Sequence, residues 1–297
     1  MKKELAPIVL FVYNRFEHTK KVVEALKKNN LAKQSMLYIF SDAPKTKKNE
    51  EDVEQVRNYI KTIKGFKIVE IVERERNYGV AENLIKAITE VINKYGKVIM
   101  LEDDDVTSKY FLDYMNDALN FYEHDNRVFE ISPYMYPTKE QLPETFFLQL
   151  FSSWGFGTWK RAWNNFEEDG IKLLSKIEKR GLKKKFDING TYPYTKMLRN
   201  QIDGKNDSWA IRLYASFFLK DGLVLYPNKS LVKNIGFDDT GVHGNKTDMF
   251  DTTLSDSKIN VKKIPVKINK EASLSLQKYF KSIFFKRVFN KLGRMLK

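Results

Sequence analysis

Four consecutive acids, Glu102, Asp103, Asp104 and Asp105, follow directly on an apolar run, Val98 to Leu101. Two unit charges about 4 Å apart repel by about 4 kcal/mol at an effective dielectric of about 20. A buried strand that delivers four carboxylates to one place therefore demands a compensating charge. Hard oxygen ligands suit magnesium or manganese, and acids at a strand end could hold such a cation. Side chains alternate along a strand, so Glu102 and Asp104 are expected on one side and Asp103 and Asp105 on the other. The four cannot then all reach one ion directly. The alternative is a helix beginning near Ser108 and capped by Asp105 or Thr107, which accounts for one or two acids better than for four.

The elements that must position this cluster follow from hydrophobic periodicity. PIVLFVYN, MLYIFSD, FKIVEIVE and KVIMLEDDD are short runs rich in branched or aromatic residues and predict strands. Between them FEHTKKVVEALKKN, NEEDVEQVRNYIKTI and GVAENLIKAITEVINKY carry apolar residues at helical spacing, with Val80, Leu84, Ile88 and Val91 as one stripe. Strict alternation of strand and helix predicts an α/β fold with a mostly parallel sheet flanked by helices, built from right-handed βαβ units. Ligands bind at the carboxyl ends of such strands, which here carry YNR, SDA, ERN and EDDD. Past a helix in SKYFLDYMNDALNFYEHD the alternation stops. Residues 127–150 predict strands around a Pro-rich loop, 151–220 predict three helical pieces, and LVLYPNKSLVKNIG returns to strand.

The ordered set of segments resembles the GT-A fold nucleotide-sugar glycosyltransferases, in particular family 2-like bacterial sugar transferases. LEDDD is similar to their Glu-Asp-Asp or Asp-x-Asp metal motif, and VYNRFEHTKKVVEAL to their first strand and helix. FSDAPK resembles their Ser-Asp-Gly segment, with Ala43 where glycine is common. ERNYGVAENL resembles an Asn-x-Gly helix start, SSWGFGTWKRAW a Trp-Gly-x-x-Thr-Trp signature, and NKSLVKNIGFDDTGVHG a late Asn-x-Gly and His segment. The match covers about residues 7–245.

The resemblance implies a Mn2+ or Mg2+ cofactor held directly by Asp104. Asp103 would assist through ribose or metal-bound water, and Asp105, standing where an apolar residue is usual, would compete for the ligand role. It implies a nucleotide-sugar site made of Asn14, Arg15, Asp42, Asn77, Gly79, Glu102 and Asp103. Asp42 would accept from a uracil or ribose hydroxyl, although an Asx turn before Pro44 explains the same residue. A solvated arginine is a serious alternative account of Arg15, and a cap or turn is the alternative for Asn77. An inverting transfer needs a base beside the acceptor hydroxyl, and the resemblance places Asp207 there. By residue type an N-cap is at least as good an account, and Asp203 is the fallback. His243, between two glycines, matches a late histidine that reaches metal or diphosphate in the family, whereas a lone histidine is more often structural. Trp154, flanked by Ser153 and Gly155, is the candidate acceptor platform, while Trp163 is expected in the core.

The formal charge is +14, and seven of those charges lie on the acid-free stretch KYFKSIFFKRVFNKLGRMLK at 278–297. A helical wheel puts Phe284, Val288, Leu292 and Met295 on one face and Lys286, Arg287, Arg294 and Lys297 opposite. That pattern suits a helix lying on anionic lipid, or else one docked on the catalytic body or a partner subunit. The expected organisation is a catalytic domain over 1–265 and a basic, membrane-associating tail over 266–297. With no cysteine, no cleavable leader and no apolar run of about 20 residues, the expected location is cytoplasmic, peripheral on the inner membrane face. The expected partners are a nucleotide-sugar donor, most simply UDP-linked, a glycan or lipid-linked acceptor, and the membrane, with no nucleic acid. Two other classes remain open. A sugar nucleotidyltransferase also uses acids on a parallel sheet but calls for a Gly-rich phosphate loop that VYNRFEH lacks. A non-enzymatic polyanion or membrane adaptor would rest on the basic tail alone.

Overall fold

The computed structural model describes residues 4–238 and 247–295, with 286–295 described as backbone only. Its first half is the predicted alternation: β1 (Ile8–Val12), α1 (Phe16–Lys27), β2 (Met36–Ser41), α2 (Glu50–Ile60), β3 (Ile68–Glu73), α3 (Gly79–Tyr95) and β4 (Lys97–Glu102). A short β5 (Asp105–Thr107) and α4 (Phe111–Phe121) follow. The second half contains β6 (Val128–Ile131), β7 (Thr145–Leu148), β8 (Phe156–Trp159), α5 (Lys160–Trp163), α6 (Gly170–Lys179), α7 (Lys183–Phe186), α8 (Tyr194–Ile202) and α9 (Trp209–Leu219). It closes with β9 (Leu223–Pro227), β10 (Val232–Asn234) and the long α10 (Lys270–Met295). The stretch 151–220 thus holds a strand and five helical pieces in place of the expected three, because its aromatic residues fill core positions in several short elements.

The eight-stranded sheet runs β3-β2-β1-β4-β8-β6-β9-β7. The first four strands are parallel, β8 is antiparallel to both β4 and β6, and β6 is parallel to β9. This α/β architecture, a majority-parallel sheet with helices on both faces, is the one expected and is consistent with a GT-A, Rossmann-like fold. Period-2 alternation assigns the two faces. Ile8, Leu10 and Val12 pack with Leu37 and Ile39 under α1 and α4, whereas Val9, Phe11, Tyr38 and Phe40 pack under α3 and the C-terminal helices. On α3 the buried stripe is Ala81, Leu84, Ile88, Val91 and Ile92, while Val80 is 46% exposed at the cavity edge, one position off the expected stripe.

Two features place the acids. The strand β4 ends at Glu102, and Asp103 and Asp104 form a turn before β5. Then β10 pairs antiparallel with β5, setting Asn234 opposite Asp105. The helix α4 starts at Phe111 with no side-chain cap, so the acids do not serve as its N-cap. Among the described residues no helix is long and apolar enough to cross a membrane.

Candidate active site

A cavity of about 1480 Å3 opens over the carboxyl ends of the parallel strands. Pockets for a single small ligand occupy about 300–1,000 Å3, so this one has room for two. One half is lined by Asn14, Arg15, Asp42, Asn77, Gly79 and Glu102 to Asp104; the other by Tyr136, Trp154, Tyr192, Tyr194, Asp207, Trp209 and Phe280. The fold therefore gathers the predicted strand-end residues and the predicted acceptor residues Trp154 and Asp207 around one space.

Arg15, just past β1, answers the acids. Its Nε donates to Asp103 Oδ2 at 3.2 Å, and its Nη2 bridges Asp103 Oδ1 and Asp104 Oδ2, the latter at 2.8 Å. This corrects the expected alternation: the turn after β4 brings Asp103 and Asp104 to the same side, onto one guanidinium. Burial opposes the charged form of Arg15, but the two carboxylates outweigh it and raise its pKa. Burial also pushes Asp103 up to about 6 against the pull of Arg15, and burial with neighbouring carboxylates holds Glu102 and Asp105 well above the usual range.

Asp105 is corrected as a cavity ligand. It is fully buried and does not line the cavity. Its Oδ2 accepts from Glu102 N at 3.1 Å, its Oδ1 faces Asn234 Nδ2 at 3.4 Å, and the Gly155 backbone N–H also bonds it. Asp105 therefore locks the turn that presents Asp103 and Asp104. Gly155 is corrected with it: its φ is +61°, and a Cβ there would sit 3.0 Å from Leu101 Cδ2, so it serves close packing and lies outside the cavity lining.

Asn234 and Gly236 were missed as site residues, although the NIG segment that contains them was part of the resemblance. Asn234 Nδ2 donates to Asp104 Oδ1 at 2.8 Å, and its Oδ1 accepts from Gly236 N at 2.9 Å. A Cβ on Gly236 would fall 2.2 Å from Asp104 Oδ2 and 3.1 Å from Arg15 Nη1. Only glycine allows the chain to pass this close to the acids.

Asp42, at the end of β2, is held by four donors. Oδ1 accepts from Ala43 N and Tyr78 N, both at 2.9 Å; Oδ2 accepts from Gly79 N at 2.9 Å and Asn77 Nδ2 at 3.2 Å. A carboxylate at a helix N-terminus is favoured electrostatically, so Asp42 ties β2 to the start of α3. Asn77 Nδ2 also donates to Ala43 O at 2.6 Å, and Gly79 takes a φ of +72° with open space around it. These three residues shape the cavity wall by bonding one another. Asn14 lines the same wall.

On the other side Ser208, not Asp207, caps α9, its Oγ accepting from Ile211 N at 3.3 Å. Asp207 is left with a 70% exposed side chain in the cavity lining, 3.7 Å from Arg212 Nη2. Asp203 sits at the end of α8, paired with Lys205 at 2.8 Å, and does not line the cavity. Trp154 meets Tyr134 edge-on at 4.5 Å between ring centres and lies against Phe237 and Phe250. Trp163 is core, its Nε1 bonded to Thr89 Oγ1 at 2.9 Å. His243 lies outside the described residues.

Among the described residues no three His, Asp or Glu side chains form a ready-made metal cage. Magnesium is usually held by one or two carboxylates together with substrate phosphates, and the cavity-facing carboxylates of Asp103 and Asp104 supply the protein's share of such a set, hard oxygens in excess over the Arg15 guanidinium that bridges them. The residues fit a divalent cation that a phosphate-bearing ligand would complete.

No family model matches the chain, and no curated protein matches it. Among solved structures, the chain is similar to S. aureus TarS at 17% identity and TM-score 0.32, over 48% of this chain and 23% of that one. It is similar to S. aureus TarS 1-349 at 12% identity and TM-score 0.43, over 77% and 60%. A third is the mannosyltransferase PcManGT from Pyrobaculum calidifontis in complex with GDP-Man and Mn2+, at 11% identity and TM-score 0.40, over 74% and 73%. The chain thus spans about a quarter of the longer TarS structure and three-fifths of the shorter.

Proposed function

We propose that this chain is a metal-dependent, inverting glycosyltransferase that moves a hexose or N-acetylhexosamine from a nucleotide diphosphate sugar, UDP-linked, to a glycan or lipid-linked acceptor. The observation that carries the reading is the single two-part cavity, with acids and an arginine at the strand ends in one part and aromatic rings with an uncapped carboxylate in the other. Asn14, Asn77, Gly79 and Glu102 wall the donor side, and Asp42 keeps that wall in place. Asp104, with Asp103 beside it, would hold Mn2+ or Mg2+, whose charge would stabilise a departing diphosphate. Asp207 takes the proton from the acceptor hydroxyl, and Arg212 keeps its carboxylate at the cavity. Trp154 and its neighbouring rings take the flat face of the acceptor sugar. In the cell the product would be a surface polysaccharide built at the inner membrane face, with the docked first part of α10, through Ile283, completing the catalytic body in place of a boundary at 265/266, and the basic stretch after it associating with the membrane.

A thermal-shift panel of nucleotide sugars with and without manganese tests this. One donor should stabilise the protein only with the metal, and Asp104→Ala should abolish that response and lower transfer by about 10²–10³-fold or more. A panel in which no donor shifts the melting temperature would overturn the assignment.

A further inference from the structure

The helix α10 changes its apolar side partway along. Ala272, Leu276, Phe280 and Ile283, spaced by four, four and three, are buried against the body. Ser275 Oγ donates to Glu140 Oε2 at 2.6 Å, Lys278 pairs with Glu140 at 3.2 Å, and Asn269 N donates to Phe147 O at 2.8 Å just before the helix. Carried forward, the same spacing meets Arg287, Asn290 and Arg294, which cannot continue an apolar dock. The apolar positions instead become 284, 285, 288, 289, 292 and 295, roughly opposite on a helix of 3.6 residues per turn. The first two, Phe284 and Phe285, are 61% and 57% exposed. One continuous helix thus docks by one side up to Ile283 and leaves Phe284 and Phe285, on the other side, exposed.

The docked part also belongs to the cavity. Phe280 lines it, with ring centres 5.1 Å from Tyr136 and 4.9 Å from Tyr192. The exposed phenylalanines follow one turn later on the same rod.

We propose that α10 from Phe284 onward is a contact surface for an anionic lipid bilayer, and that the helix holds the aromatic half of the cavity beside that surface. Charge decides the occupant: the stretch 278–297 carries seven basic residues and no acid. A basic helix with phenylalanines on its apolar side lies in a bilayer interface, and each basic residue near anionic headgroups adds about a fivefold gain in binding, from about 1 kcal/mol. The lipid contact stands independently of the catalytic assignment; that the aromatic half takes a lipid-linked acceptor rests on the function proposed above.

The test is co-sedimentation of the full-length protein with phosphatidylcholine vesicles, with and without phosphatidylglycerol. The wild type should pellet only with phosphatidylglycerol. The full-length double variants Phe284→Ser with Phe285→Ser, and Lys286→Glu with Arg287→Glu, should each bind at least about tenfold more weakly and melt at the wild-type temperature. A wild type that ignores both vesicles, binds both equally, or is matched by its variants overturns the proposal. A concentration-dependent dimer that both variants dissolve also overturns it, assigning the surface to a second copy of the chain. Donor thermal shifts on the same samples keep the two ideas separate: vesicle binding without a donor response sinks only the catalytic assignment.

Discussion

The two halves of the cavity handle their polar groups in opposite ways. In the strand-end half, charge is concentrated and compensated: Arg15 bridges Asp103 and Asp104, Asn234 holds Asp104, and Asp42 accepts four hydrogen bonds. In the aromatic half, rings pack edge to face around Trp154 and Tyr136, and among the described residues the cavity-facing carboxylate of Asp207 has only a 3.7 Å arginine contact. The buried acid of this part of the sheet, Glu130, stands apart from the clustered acids, with no carboxylate neighbour among the causes of its shift. Burial raises its pKa well above the usual range, opposed only by a backbone N–H from Ser152. The lesson is one of rigidity. A site for a highly charged ligand has its side chains fixed beforehand by one another, whereas a site for a neutral ring needs flat surfaces and one reactive group left unencumbered.

That contrast can be broken in three places. The largest effect is expected at Asp207→Asn, which should lower transfer by about 10²–10⁴-fold while metal-dependent donor binding stays at the wild-type level, measured by kinetics and thermal shift. Equal loss of both would show that the halves are not separable. Next, Gly236→Ala inserts a methyl 2.2 Å from Asp104 Oδ2. It should cost about 1–3 kcal/mol in urea unfolding and weaken manganese binding, with the aromatic half unaffected.

The smallest effect is a pH dependence. Asp103 is raised in the folded protein from 3.8 to about 6, so between those values the folded chain binds more protons than the unfolded one. Its contribution to stability is present at the acid end and lost as pH rises toward 6. Metal-free urea midpoints should therefore fall with rising pH more steeply in the wild type than in Asp103→Asn across that window, and parallel curves would refute the assigned shift.

Much of the strand-end half was legible because its residues follow regular elements. Periodicity located β1 to β4 and the helices between them, and the rule that parallel strands bind ligands at their carboxyl ends then selected Asn14, Arg15, Asp42, Asn77 and Glu102 to Asp104. Within that set the roles were less legible. Alternation along a strand assigned Asp103 and Asp104 to opposite sides, and the turn after Glu102 cancelled it. Asp105 looked equivalent to its neighbours until β10 covered it. For Asp207, residue type made a cap at least as good an account as a base, and the structure gives the cap to the next residue, Ser208.

By itself the sequence determined the alternating α/β half, the strand ends that carry polar side chains, and the basic, acid-free last stretch with apolar residues at helical spacing, since each depends on local pattern. Only the tertiary structure decided which acids face the cavity, that Arg15 is their counter-charge, and that Phe280 reaches the same space as β1. Those outcomes depend on contacts between segments 80 to more than 200 residues apart, and no local spacing rule encodes the approach of residues so distant along the chain.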